Sequence, residues 1–392
     1  MTDTFYTLNP VVISISCVVI TFLISYLAIP GIIAVSQKKR LFDQPDHRKI
    51  HTRVTPNLGG AAIFGAILLA TIFLDVRKYF PQYNILLTAM ILLFRIGLKD
   101  DLVEISPKKK FLFEFLSAAI IVLVADIRVE SMHGLLGIYQ LPYAISVLFS
   151  IIGITFVTNA YNLIDGVDGL SGGLGVISGL FLGTYFMITH DIGIGVLAFC
   201  IVGALLGFLR YNISPAKIFM GDNGALVLGF CVTALCILFS EKPAKMHGNF
   251  LADLNPDGKL AIVIAIISVP VFDTFRVFTL RILDKKSPFS PDRRHLHHAL
   301  LDLGMKSTNV SMTLHALTIS FVCLAILMEN LNPTISIGII GIVCMSFTYV
   351  VTKMKERKIL EDSAPITMIP INTVTLIDAN MLREEEAPMI NN

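Results

Sequence analysis

The run AISVLFSIIGITFVTNAYNLIDGVDG, residues 144–169, is apolar through Val157 and then turns polar at Asn159, Asn162, Asp165 and Asp168. A bilayer core requires about 20 residues of apolar helix. This segment is long enough to cross one, and it gathers its costly polar groups at a single boundary. If the helix runs on, those four residues, three apart, share one face. Ionisable groups at the end of a membrane helix call for a cavity or a cation.

The rest of the chain has the same character. Of 392 residues, 54% are apolar and 15% charged, and the mean hydropathy is +0.74. A soluble domain carries about 25% charged residues. So little polar side chain cannot coat a water-facing surface, which excludes a single soluble domain. The same numbers exclude disorder over most of the chain. A net charge of +2 excludes a strongly basic nucleic-acid binder. The six cysteines lie scattered in apolar runs without metal or redox spacing, and read as small buried hydrophobes.

Apolar runs at 11–35, 58–76, 84–98, 111–127, 144–162, 170–190, 192–209, 221–240, 259–281, 310–328 and 334–352 predict an all-α polytopic membrane protein of about eleven transmembrane helices. The first run lacks a basic leader and reads as a span, not a cleavable signal peptide. Segments after the odd-numbered spans carry 22 Lys and Arg, and the alternate set carries 6. Positive charge accumulates inside. The N-terminus is therefore expected outside and the C-terminus in the cytoplasm, as an odd number of spans requires. Residues 128–143 alternate weakly around a glycine turn and predict a short outside hairpin. Residues 1–358 form the membrane domain in this reading, and 359–392 a polar cytoplasmic tail. No internal repeat supports an inverted-repeat transporter.

On this map three acidic clusters face the cytoplasm: Asp100-Asp101, the Asn159–Asp168 stretch, and Gly221-Asp222-Asn223-Gly224. Cationic segments stand beside them. These are Lys108-Lys109-Lys110, the loop containing His47, Arg48, Lys49, His51 and Gly59-Gly60, and the run Ser287 to His298 with Arg293, Arg294, His295 and His297. Each has a plainer reading when taken alone. An acidic pair can end a helix in solvent, a lysine run can anchor a span, and Gly172-Gly173 can serve helix packing. Asp273 and Arg276, three apart, read as a self-neutralising pair, and Arg95 as a partner for Glu114. Together, carboxylates and cations on one membrane face suit Mg²⁺ and phosphates. Mg²⁺ is usually held by one or two carboxylates plus substrate phosphate, and Lys and Arg neutralise the remaining charge.

At these residues the chain resembles the polyprenyl-phosphate N-acetylhexosamine-1-phosphate transferases, membrane enzymes that start bacterial cell-envelope glycan synthesis. The matching pieces are Asp100-Asp101, Asn159 to Gly173, Asn212 to Gly224, Ser287 to His298 and the Asp46 to Lys49 loop with Gly59-Gly60, in family order. The loop Ser287-Pro-Phe-Ser-Pro-Asp-Arg-Arg-His-Leu-His-His298 is similar to the branch using UDP-N-acetylglucosamine and undecaprenyl phosphate. The branch acting on UDP-MurNAc-pentapeptide carries a different loop.

The resemblance implies a multi-pass protein of the bacterial inner membrane with its active site at the cytoplasmic face. It implies an Mg²⁺-dependent reaction, with Mn²⁺ as a substitute, that yields GlcNAc-diphosphoundecaprenol and UMP. Asp222 is the implied metal ligand, with Asp101 assisting. Asp100 is implied to deprotonate or orient the acceptor phosphate. Asp165 and Asp168 shape the metal and nucleotide site. Asn162, Asn212 and Phe219 match uridine-pocket positions, Lys110 and Lys108 phosphate-holding ones. Arg294, His295, His297 and His298 match a loop that contacts diphosphate and sugar. Another UDP-N-acetylhexosamine is the alternative donor, and a homodimer an allowed assembly. Two rival classes carry less support. A CDP-alcohol phosphotransferase would need Ala-Arg after Gly169, where Leu170-Ser171 stands. A cation-coupled transporter would need ionisable groups at mid-membrane depth.

Overall fold

A computed structural model describes residues 2–39, 41, 55–243, 248–287 and 293–363. The His47–His51 part of the first loop, residues 288–292 of the histidine loop and the tail from 364 lie outside the described residues.

The described helices are α1 (Thr2–Tyr6), α2 (Pro10–Lys39), α3 (Gly59–Phe73), α4 (Tyr83–Leu102), α5 (Pro107–Leu123), α6 (Tyr143–Ile164) and α7 (Leu170–Ile188). Then follow α8 (Ile192–Asn212), α9 (Asp222–Glu241), α10 (Lys259–Ile266), α11 (Ser268–Leu283), α12 (Leu296–Asp302), α13 (Ser307–Leu327) and α14 (Pro333–Ser363). Every predicted apolar run is helical. Seven helices (α2, α6, α7, α8, α9, α13 and α14) are long and apolar enough to cross a membrane, and the bent pair α10–α11 makes an eighth if taken as one span. The chain is a multi-pass membrane protein. α3 is shorter, and α4 and α5 carry the charges of Lys99 to Asp101 and Lys108 to Glu114.

α9 is apolar all round its circumference and is buried throughout its apolar window, the pattern expected of a central helix. It packs against α3, α4, α6 and α7. α8 forms the second core element, against α2, α3 and α7. Gly203 and Gly207, four apart on α8, let α2 approach until Val18 and Phe22 backbone atoms fill the space of a side chain.

Two sequence readings change. The span expected at 259–281 breaks at Ile267, and its halves meet at 67°. Pro270 has no N–H to bond the Ile266 carbonyl, which removes a helix hydrogen bond at the break. The stripe from Asn159 to Asp168 does not stay on one helix. α6 ends at Ile164, Asp165 is its C-cap, and Gly169 takes a left-handed φ of 76° before α7. α14 runs to Ser363, and its last turns, Lys355 to Asp362, are mostly good helix formers. The hairpin is present: β1 (Ser131–Leu135) pairs antiparallel with β2 (Ile138–Gln140).

Candidate active site

The C-terminal end of α4 and the N-terminal end of α9 meet at one end of the bundle. Gly221, at the N-cap of α9, has φ 74°, and a side chain there would overlap the Asn57 carbonyl. The segment before it is clamped to the end of the first loop. Phe219 N donates to Pro56 O at 2.7 Å, Gly59 N to Phe219 O at 2.9 Å and Gly60 N to Met220 O at 2.8 Å. A side chain at Gly60 would overlap Asn223 and Gly224.

Asp101 closes this corner. Its Oδ1 accepts from Asp222 N at 3.0 Å and Asn57 Nδ2 at 3.2 Å. Its Oδ2 accepts from Asn223 N at 2.9 Å and Asn223 Nδ2 at 2.6 Å. The carboxylate thus caps the orphan N–H groups and positive end of α9. Each oxygen thus carries two donors, and the residue expected to assist the metal holds the first turn of α9, which bears Asp222.

Asp222 faces the other way. Its Oδ2 contacts the Lys110 ammonium, and its Oδ1 accepts from Asn162 Nδ2 at 2.7 Å. Lys110 Nζ also lies 3.3 Å from Asp100 Oδ2 and 3.3 Å from Asn162 Oδ1. The other Asp100 oxygen accepts from Ile105 N at 2.8 Å. One ammonium thus sits between carboxylates from α4 and α9. Asp165, beyond the end of α6, borders the same group. Burial first, then the Asp222 and Asp101 charges, push its carboxyl well above the usual range.

Two candidates hold the adjoining loop. Asn212 Oδ1 accepts from Gly169 N at 2.8 Å, and its Nδ2 donates to Ile218 O at 2.9 Å. Asp168 Oδ2 accepts from Ala216 N at 3.2 Å, and its carbonyl accepts from Ser311 Oγ at 2.7 Å. Both are buried. They shape the wall carrying Phe219, which is half-buried.

The histidines rest on α11. Asp273 Oδ2 lies 2.9 Å from His295 Nδ1, and its Oδ1 accepts from Leu296 N at 2.9 Å and Arg276 Nη2 at 3.1 Å. Arg276 also donates to the Arg294 carbonyl. The expected Asp273–Arg276 pair exists, and its further contacts set the start of α12. His297 is packed over Gly166 and beside His298, ring centroids 4.3 Å apart. Burial first, then His298, lowers the His297 pKa to about 3; burial first, then Arg293, lowers that of His298 to about 4. Both imidazoles are neutral at pH 7 and offer hydrogen bonds, not fixed charge.

A cavity of about 370 Å³ joins these parts. Asp100, Lys110, Asn162, His295 and His298 line it, with Phe111 of α5 and Phe278 of α11 on its apolar side. Three residues are not placed at the site by the sequence alone: Arg281 and Glu114, which line the cavity, and Asp273, which supports the histidines; Glu114 and Asp273 read there only as partners of Arg95 and Arg276. Each is a buried charge in an apolar helix, the signal that could have flagged it. Arg95 does not pair with Glu114, because it lies on the exposed side of α4. Lys108 is exposed and outside the cavity, and Arg294 pairs with Asp284 at 2.6 Å.

Among the described residues no group of three or more His, Cys, Asp or Glu is arranged as a metal site. A self-sufficient protein cage is therefore absent there. The residues do fit Mg²⁺ shared with a substrate phosphate, which needs only one or two carboxylates. The Lys110 ammonium marks where Asp222 and Asp100 concentrate negative potential.

Residues 83–240 match the model of glycosyl transferase family 4. A Bacillus subtilis protein named "Probable undecaprenyl-phosphate N-acetylglucosaminyl 1-phosphate transferase" is 31% identical over 334 residues, covering 83% of this chain and 88% of that protein. The chain belongs to glycosyl transferase family 4. Other members of the family are similar over most of their length. The undecaprenyl-phosphate alpha-N-acetylglucosaminyl 1-phosphate transferase of Yersinia pestis is 28% identical over 280 residues, 70% of this chain and 73% of that one. The decaprenyl-phosphate N-acetylglucosaminephosphotransferase of Mycobacterium tuberculosis is 30% identical over 313 residues, 75% and 77% of the two chains. The matched region runs from α4 to α9, so it contains Asp100, Lys110, Asn162 and Asp222.

Proposed function

We propose that the protein transfers N-acetylglucosamine-1-phosphate from UDP-N-acetylglucosamine to undecaprenyl phosphate. The products are GlcNAc-diphosphoundecaprenol and UMP. One observation carries the reading: Asp100, Lys110 and Asn162, from three helices, line a cavity that also has an apolar wall, and Asp222 of a fourth helix joins them through Lys110 and Asn162. A substrate that is both lipid and anion requires that combination. The relatives' names supply the sugar and the prenyl carrier.

The protein sits in this reading in the bacterial inner membrane, with eleven spans, the N-terminus outside and the site at the cytoplasmic face. The prenyl chain stays in the bilayer along Phe111 and Phe278, and the nucleotide sugar enters from the cytosol. An oxygen of the acceptor phosphate attacks the β-phosphorus of the donor. The bond from that phosphorus to the bridging oxygen breaks, and UMP leaves with the electron pair. Two anions must meet, so neutralisation and alignment carry most of the catalysis. Lys110 and Arg281 supply fixed positive charge. Asp100 orients the acceptor phosphate and takes its proton when it arrives as the monoanion. Asn162 holds the Asp222 carboxylate in place, and the Phe219 wall receives the base. Mg²⁺, held by Asp222 with the substrate, neutralises diphosphate charge when bound.

The test is UMP release by purified protein given undecaprenyl phosphate, Mg²⁺ and a panel of UDP-sugars. UDP-N-acetylglucosamine is expected to give the highest kcat/KM. No UMP from any UDP-N-acetylhexosamine would overturn the reading.

A further inference from the structure

The cavity has a second polar layer beneath the first. Glu114 follows Lys110 by four residues on α5, and Asn159 precedes Asn162 by three on α6. At about 1.5 Å per residue they lie roughly 4.5–6 Å further along their helices, away from the end where Asp100 and Asp222 meet. Glu114 is 1% exposed, and among the described residues no cation contacts its carboxylate closely. Its polar neighbours are Asn159 and Lys110. Holding a carboxylate this deep without an ion pair is costly. A hydrophobic residue would serve the fold better, so the group needs a partner in some other state of the site.

Lys110 is that partner. Its ammonium is held by Asp222, Asp100 and Asn162. A divalent ion on Asp222 would meet this ammonium at close range. Two positive centres at contact distance, one of them doubly charged, repel strongly in a partly buried site. The ammonium must leave. It stands on a flexible four-carbon stem, and a residue four positions on shares its helix face.

We propose that Glu114 receives the Lys110 ammonium when Asp222 takes up a divalent cation, so that Glu114 is a positioning residue for metal binding. The inference rests on the reading of Asp222 as a metal ligand given above. It also places Lys110 one turn deeper in the loaded enzyme, under the acceptor phosphate and clear of the metal.

The experiment is Mn²⁺ titration of the full-length protein in detergent, with free Mn²⁺ read by electron paramagnetic resonance and no substrate present. Wild type, Glu114→Gln, Lys110→Met and the double variant are compared. Glu114→Gln is expected to weaken Mn²⁺ binding about tenfold, because the displaced ammonium has no acceptor. Lys110→Met is expected to tighten it. In the Lys110→Met background, adding Glu114→Gln is expected to change affinity less than twofold. Wild-type affinity in Glu114→Gln overturns the proposal and leaves the metal reading intact. An equal loss in both backgrounds also overturns it, since Glu114 would then act on the metal directly. Absence of Mn²⁺ binding in wild type, matched by Asp222→Asn, overturns the metal reading itself.

Discussion

Asp101 and Asp222 are both carboxylates at one corner, and a single pair of substitutions separates their roles. Asp101→Asn keeps size and shape but replaces one oxygen by an amide that can only donate. Asp101 now accepts four N–H donors, two at each oxygen. Whichever way the amide turns, two of those donors face another donor. A hydrogen bond to a charged group contributes about 1.5–3 kcal/mol. Losing two of them costs about 3 kcal/mol or more. At about 2 °C per kcal/mol for a long chain, the unfolding midpoint falls by about 6 °C. Activity falls with it, because the first turn of α9 that carries Asp222 loses its cap.

Asp222→Asn has the opposite profile. Asp222 shares its corner with Asp100, Asp101 and Asp165, so neutralising it relieves carboxylate repulsion while losing the Lys110 pair. The midpoint stays near wild type and turnover disappears. The protein has no tryptophan, but Cys17, Cys200, Cys231, Cys236 and Cys344 are buried. A thiol-reactive fluorophore therefore reports unfolding during a thermal ramp, over a constant signal from exposed Cys323. Lost activity at an unchanged midpoint in Asp101→Asn would refute the capping role and return that residue to the chemistry.

Three further outcomes are expected. Phe219→Ala should raise the KM for the nucleotide more than it lowers kcat, measured by UMP release; an unchanged KM would remove the ring from the base pocket. Asp273→Asn should lower kcat without changing Mn²⁺ affinity, since it loosens His295 and the start of α12 but does not touch Asp222. His297 and His298 stay neutral in the fold down to about pH 3 and about pH 4, whereas the unfolded chain binds their protons near 6.5. Stability from these groups is therefore complete above pH 6.5 and is lost progressively as pH falls towards their folded values. The midpoint-against-pH curve of His297→Gln should be flatter over that interval than that of wild type.

The helices were legible because burial in a membrane leaves a one-dimensional trace: long apolar runs, closed by polar residues at the same ends. The convergence of Asp100, Lys110, Asn162 and Asp222 followed from placing those ends on one face. The break at Ile267 left a trace too, in Pro270, but a proline within a long apolar run is compatible with a kink or a full stop. What could not be read was partnership across distance. Asp273 looks self-sufficient beside Arg276 in the sequence, and only the fold brings His295 and Leu296 to it, 22 and 23 residues on. Glu114 and Arg95 look like a pair by charge alone, yet they point to different sides of their helices.

Asp100 and Asp101 make the same point most sharply. They are neighbours of one chemical type, and a helix turns about 100° between them. That rotation sends one carboxylate into the cavity and the other onto a helix N-terminus 121 residues away. The same division runs through each acidic motif. Asn162 lines the cavity and holds Asp222 beside Lys110, whereas Asp168 and Asn212 are spent on backbone groups: Asp168 on Ala216, and Asn212 on Gly169 before α7 and Ile218 before α9. A site made from the ends of several helices has this requirement built in. Helix ends carry unpaired N–H and C=O groups, so some polar residues must fix those ends before others can be aimed. A motif rich in Asp and Asn is therefore expected to hold both kinds, and their chemistry cannot be told apart until their donors are known.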